Sequence, residues 1–444
     1  MRLLKRICVL ILGLAMALAM SSVVRADAVT DWNAIAIQTI AGVSTHPGAT
    51  SFLDSAMVQA AVYDAVESIT GRFRPYAVHV PGASGSTSAA VAAAAHRMLV
   101  RRFPSLTTSL DTTYHTYMAN HGLSETDPGV AVGETAANGL FDLRATDGSF
   151  PVIPPPPFTG GTAIGEWRPT PSLIILPGAS QPSPLPFSPM LAPWLASVTP
   201  FTLTSPSQFR AVPPPSVTSK RYAMAFNEVK RMGRSSDSDR TAEQTDLALF
   251  WYSNYLVLWN QALRGIADAY VHNIDDSARL FALTNLAMGD AVITCWDSKL
   301  HYAFWRPYTA IHEADNDGNP ETISDPNWTP LANTPNYPDY TSGANNVTGA
   351  ITRALALFFG TDEKTFTVAT TYPLAVQRTR TYDRFSDAAR DVVNVRIWSG
   401  IHFRFADVQA RKQGRRVAQW VFSHFLRSVD DDDHDDHDDG DDED

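Results

Sequence analysis

The sequence predicts an all-α protein, built as two helical bundles with a proline-rich irregular belt between them. Three observations carry that expectation. Ten segments repeat apolar residues at i, i+3 and i+4, the spacing that turns one helix face toward a core. Alternating, β-branched runs of the kind that mark half-buried strands are scarce. Between residues 151 and 216 lie 18 of the chain's 30 prolines, and a residue with fixed φ and no amide donor suits neither a helix interior nor a central strand. A composition of 44% hydrophobic and 18% charged residues is too apolar for a disordered chain.

The elements follow in order. Residues 1–26 read as a secretory signal peptide: Met1–Arg6 is basic, Ile7–Met20 is apolar, and Val24-Arg25-Ala26 is a small-residue cleavage pattern. The apolar run is shorter than the roughly 20 residues a membrane span needs, so the mature chain is expected to be exported, periplasmic or extracellular, without a membrane span. Cys8 would leave with the signal, and Cys295 alone cannot form an internal disulfide. The N-terminal helical region, 27–150, contains the periodic segments Ala34–Gly42, Ser51–Ile69, Thr87–Arg102 and Ser124–Thr146. The belt, 151–216, carries Trp167, Leu173-Ile174-Ile175-Leu176, Trp194 and Phe201; a solvated linker has no use for these, so the belt is expected to pack on the helices. The C-terminal helical region, 217–428, holds Thr218–Met232, Thr241–Arg264, Ser277–Trp305, Asn345–Phe359, Phe385–Trp398 and His402–Leu426. Residues 429–444 form an acidic tail with nothing apolar after Val429, expected to be disordered. The formal net charge is −11, and the tail's eleven Asp and one Glu exceed it. The body is therefore near neutral, with no electrostatic basis for nucleic-acid binding.

Three short segments of the C-terminal region bear chemistry. Lys299 and Arg306 are seven residues apart on a predicted helix ending at Pro307. Seven residues turn about 700°, which places both cations on nearly one face. In Tyr337-Pro338-Asp339-Tyr340-Thr341-Ser342-Gly343-Ala344-Asn345, Thr341 or Ser342 can cap the next helix, and Gly343 lets its backbone approach a ligand. The free amides there and the positive dipole end make an oxyanion site. In Arg396-Ile-Trp-Ser-Gly-Ile-His402, Gly400 supplies a corner that can aim both Arg396 and His402 into one cavity. Together these groups suit a tetrahedral oxyanion passing through a trigonal-bipyramidal state, or vanadate, which adopts that geometry in its ground state.

With those residues in place, the sequence resembles the vanadium-dependent haloperoxidase and type-2 phosphatidic acid phosphatase superfamily, in particular its bacterial haloperoxidase-like members. The superfamily pattern is Lys-x6-Arg-Pro, Pro-Ser-Gly-His and Ser-Arg-x5-His. It stands here as Lys299-x6-Arg306-Pro307, Thr341-Ser342-Gly343-Ala344 and Val395-Arg396-x5-His402. Supporting likeness includes Met57–Ala65 and Thr199-Pro200-Phe201. The resemblance implies that Lys299, Arg306 and Arg396 neutralise the oxyanion while Ser342 and the Gly343 amide donate to it. His402 would be the axial vanadium ligand or, in a phosphatase, the nucleophile. Trp296, Tyr337, Tyr340 and Ala344 would line the pocket. It implies vanadate as cofactor, with phosphate as a competing ligand, and hydrogen peroxide with halide or a small organic molecule as reactants. An acid phosphatase-type phosphoester hydrolase is the alternative, and a non-catalytic oxyanion binder the second.

Three departures stand out. The superfamily's acid–base His is Ala344. The Asp expected four residues after the last His is Ala406, with Asp407 one step beyond. Val395 replaces a Ser. The first two count more against the phosphatase, which needs both a leaving-group acid and an oriented His. His301, two residues from Lys299, should face away, about 200° round the helix. Finally, Glu313–Gly318 resembles the front half of a calcium loop, but Ser324 stands where the closing Glu belongs. An Asx-rich turn is the better reading, with a bound Ca²⁺ left open. The helical surfaces leave an oligomer open as well.

Overall fold

A computed structural model describes residues 27–43, 46, 48–151, 153, 155–171 and 188–430. The proposed signal peptide, nearly all of the acidic tail and Leu173-Ile174-Ile175-Leu176 lie outside the described residues. Within them the protein is all-α, as expected, apart from one small hairpin.

The N-terminal set comprises α1 (Ala28–Gly42), α2 (Ser51–Thr70), α3 (Thr87–Arg102), α4 (Thr107–Asn120) and α5 (Pro128–Leu143). Helix α1 starts earlier than its periodicity suggested, because the Asp27 carboxylate accepts a hydrogen bond from the Thr30 amide at 2.9 Å and caps the first turn. Helix α4 was not foreseen. It is rich in Thr, a poor helix former, and is held by Leu110, Tyr114, Tyr117 and Met118 packed inward.

The C-terminal set comprises α6 (Lys220–Met232), α7 (Ala242–Phe250), α8 (Tyr255–Tyr270), α9 (Ile274–Tyr302), α10 (Pro307–His312), α11 (Gly343–Phe358), α12 (Phe385–Trp398) and α13 (Arg404–His424). Helix α9 is 29 residues long, is buried from Leu280 through Lys299, and is packed by α2 from the first set and by α11 and α13 from the second. A continuous apolar core therefore runs through both sets. A smaller cluster of Tyr222, Phe226, Trp305, Trp328, Tyr340, Phe403 and Phe405 lies apart from it.

Three expectations need correction. The segment Thr241–Arg264 is two helices, because the chain turns at Trp251–Asn254 and the Asn254 side chain restarts it by accepting from the amides of Leu256 and Val257. Helix α9 stops at Tyr302, where Ala303 adopts a left-handed φ of 42°. Residues Glu363–Ala369 (β1) and Thr379–Arg384 (β2) pair as an antiparallel hairpin with Phe366 and Val368 buried. In the described part of the belt, Trp167 is fully buried against Phe158, and the Leu191 carbonyl accepts from the Trp296 indole.

Candidate functional site

Lys299 is fully buried in the last turns of α9, and its ammonium donates to the carbonyls of Pro338 at 2.6 Å and Asp339 at 3.3 Å. Arg306 reaches the same place by a different route from the expected one. The left-handed Ala303 ends the helix, the chain extends, and Arg306 arrives at the cap position of α10. It donates to the carbonyls of Tyr337 at 2.8 Å and Ile401 at 2.7 Å. The two cations flank the Tyr337 ring, Lys299 Nζ at 4.7 Å and the Arg306 guanidinium carbon at 4.9 Å from its centroid, where the ring's negative face attracts both.

Helix α11 supplies the donor end. Ser342 is its cap residue, yet its side chain makes no capping hydrogen bond, so the first-turn amides remain open to an anion. A Cβ built on Gly343 would meet only the Trp296 ring, at 3.7 Å; beside this backbone there is room for a ligand atom. The loop before the helix is fixed by Gln413. Its side-chain oxygen accepts from Thr341 and Asn346, and its nitrogen donates to Phe209, Thr294 and Ser298.

Arg396 closes the last turn of α12, and Gly400 makes the corner with φ of 78°. Any Cβ there would lie 2.4 Å from the Gly233 carbonyl oxygen. The corner turns buried His402 toward Arg306 and Asp339. Its Nδ1 lies 2.7 Å from an Asp339 carboxylate oxygen, and its Nε2 lies 3.1 Å from Arg306 Nη1. Arg306 Nη1 is also 3.3 Å from Nδ1, so the guanidinium stands beside both ring nitrogens, and neither Asp339 carboxylate oxygen completes a hydrogen bond among the described residues.

Burial sets the electrostatics. Desolvation, reinforced by Arg306, Arg396 and Lys299, holds His402 well below its usual value. Burial also brings Lys299 down to about 7 and pushes the Asp339 carboxyl up to about 7, against the pull of Arg306 and Lys299. Arg306 Nη2 and Arg396 Nε are buried without a hydrogen-bond partner among the described residues. Unpaired buried charged donors are costly, and a bound oxyanion with several acceptor oxygens would satisfy both. The residues present therefore fit vanadate or phosphate. Outward from them opens a cavity of about 370 Å³, with Phe52, Trp296, Tyr337, Gly343, Ala344 and Arg396 among its walls.

The structure thus gathers Lys299, Arg306, Ser342, Gly343, Arg396 and His402, with Trp296, Tyr337 and Ala344 along the approach. Tyr340 departs from expectation: it is fully buried in the smaller core, and its hydroxyl donates to the Val212 carbonyl at 2.5 Å. Asp407 is not the partner of His402; its carboxylate accepts from Asn345 at 2.8 Å. His301 is exposed, as expected. In the proposed calcium loop, Asp315 accepts from the amide and hydroxyl of Ser324, and Asp317 from Asn319 and Thr322. Those carboxylates close an Asx-rich turn, and no cluster of three or more metal-ligating side chains occurs among the described residues.

Two residues escaped the sequence reading. Asp339 was visible as a lone acid in an apolar, proline-bounded segment, but nothing in the spacing paired it with His402. Gln413 carried no signal.

Comparisons with known proteins agree with the motifs. Residues 279–431 match the family model for the VCPO second helical-bundle domain. The vanadium chloroperoxidase of Curvularia inaequalis is 28% identical over 228 residues, a stretch covering 43% of this chain and 37% of that protein. The match thus spans well under half of that relative's length. Among solved structures, the first bacterial vanadium-dependent iodoperoxidase superposes with a TM-score of 0.74 at 22% identity, covering 90% of this chain and 98% of that one. A holo-type bacterial vanadium-dependent chloroperoxidase gives 0.69 at 19% identity, covering 87% and 93%. At these identities the likeness is one of fold. The resemblance to vanadium haloperoxidases read from the three motifs is borne out.

Proposed function

We propose that this chain is a vanadium haloperoxidase-type enzyme that holds vanadate and activates hydrogen peroxide to oxidise halide. The observation that carries the reading is the buried set of donors, Lys299, Arg306 and Arg396 around the uncapped start of α11, two of whose guanidinium nitrogens lack a partner among the described residues. Lys299, Arg306, Arg396, Ser342 and the Gly343 amide would hold the oxygens, and His402 would ligate the vanadium. Bound vanadate supplies Lewis acidity toward peroxide. The protein's share is to neutralise the anion's charge, hold the His402 ring between Asp339 and Arg306, and exclude bulk water from the cationic floor. The test is to incubate the metal-free protein with orthovanadate and assay halide-dependent bromination. Bound vanadium without any gain in bromination sinks the peroxidase reading.

One observation favours a second reading, a phosphoester hydrolase. The Asp339 carboxylate lies 2.7 Å from His402 Nδ1, near enough to orient a nucleophilic His in place of an Asp after it in the chain. Its test is phosphate release from small monoesters; release that survives His402→Ala refutes this site.

Export, to the periplasm or medium, belongs to the same proposal and rests on the pattern of residues 1–26. N-terminal sequencing of the secreted protein should begin at Asp27, and an intact Met1 on secreted material contradicts it.

A further inference from the structure

The wall of the cavity contains a group that neither the motifs nor the proposed reaction assigns. Where the chain turns between α7 and α8, four residues, Tyr252, Ser253, Asn254 and Tyr255, face the same cavity as Gly343, Ala344 and Arg396. Two of their polar side chains are already engaged: the Tyr252 hydroxyl donates to the Asn333 carbonyl at 3.2 Å, and the Asn254 amide oxygen caps α8. Tyr255 is different. Its hydroxyl is buried, its oxygen is approached by Arg396 as a donor, and its proton has no acceptor among the described residues. Its charged neighbour is Arg396, whose guanidinium carbon lies 5.9 Å from the ring centroid. Arg396 can only offer protons, so the phenol's own proton has no acceptor there. Arg396 Nε is likewise unpaired.

Two adjacent buried donors without an acceptor, on the cavity wall that also carries Ala344, call for an acceptor supplied from outside the chain. We propose that Tyr255 is a hydrogen-bond donor to the bound oxyanion, standing with Arg396 on the side where Ala344 leaves the superfamily's histidine missing. Burial pushes its phenol up to about 12, so it stays protonated and able to donate across the neutral pH range. A donor of this kind suits the ligand in either chemistry, because it addresses the anion's oxygens rather than the reaction that follows. The inference rests on the oxyanion reading of the site.

The experiment compares the full chain with Tyr255→Phe, which removes one oxygen, and with Tyr252→Phe, whose hydroxyl is bonded elsewhere. Orthovanadate and inorganic phosphate are titrated by equilibrium dialysis and by the shift in melting temperature. Tyr255→Phe is expected to weaken both anions by about ten- to a hundred-fold, the range for a hydrogen bond to a charged group. The melting temperature without anion should hold, and Tyr252→Phe should bind as the unaltered protein does. Equal affinity in Tyr255→Phe overturns the inference and leaves the oxyanion site standing. Failure of the unaltered protein to bind either anion overturns both.

Discussion

The Asp339 carboxylate lies 2.7 Å from His402 Nδ1, with Arg306 Nη1 3.7 Å from the same carboxylate oxygen. The acid thus stands beside Nδ1 of the imidazole, with Arg306 beside both ring nitrogens. Carboxylate partners of this kind fix tautomer and ring orientation, and their loss costs roughly 10–100-fold. Asp339→Asn should lower turnover by about that factor while anion affinity holds or rises, since a negative charge has been removed. A parallel fall in anion affinity would place Asp339 among the ligands instead.

Lys299 predicts a proton count. Burial brings its pKa from an ordinary 10.5 to about 7, so at pH 8 the anion-free protein holds it mostly neutral. A bound oxyanion favours the ammonium, and binding at that pH should take up a proton, approaching one per site. Calorimetric titration in two buffers of different ionisation enthalpy measures the uptake, and none at all contradicts the argument. The same shift makes the fold more stable as pH rises from about 7 toward 10.5, because the unfolded chain there holds the proton the folded one has released.

Restoring the missing histidine tests what Ala344 removes. The position borders the cavity, so Ala344→His places an imidazole beside the anion floor. A general acid–base group is worth roughly 10²–10⁴-fold, and turnover of peroxide and bromide should rise within that range. No rise means that another group already does this work.

Gly400 predicts a stability loss. Its φ of 78° and the Gly233 oxygen 2.4 Å from any Cβ make Gly400→Ala doubly unfavourable, by about 2–4 kcal/mol in all. Urea unfolding reads the change. A shift below about 0.5 kcal/mol, the level of an ordinary surface substitution, would mean that the corner yields freely.

What was legible in the sequence was what periodicity and spacing encode. Helices such as α3 and α12 begin and end where their apolar stripes do, and the cations fell into a recognisable order along the chain. What was hidden depends on where the chain stops being helical. Lys299 and Arg306 were expected on one helix face, but Ala303 breaks the helix in a conformation that an alanine does not advertise. Tyr255 was concealed inside a periodic segment that in fact breaks and restarts on Asn254. Asp339 and His402 meet only because two loops fold against each other, and no local rule couples them. The hairpin was missed because only Phe366 and Val368 carry its inward face, too few for alternation to stand out.

Helix α9 has a consequence for how such a chain can be divided. It carries Lys299 in its last turn and is packed along its length by α2 from one half and by α11 and α13 from the other. The motif-bearing half is therefore not a transferable module. A fragment beginning at residue 217 would inherit each of the proposed anion-binding cations, yet α9 would show solvent the apolar face that α2 now covers. Recombination that preserved the three motifs and discarded the first bundle would keep the vocabulary of the site and lose the grammar that aligns it.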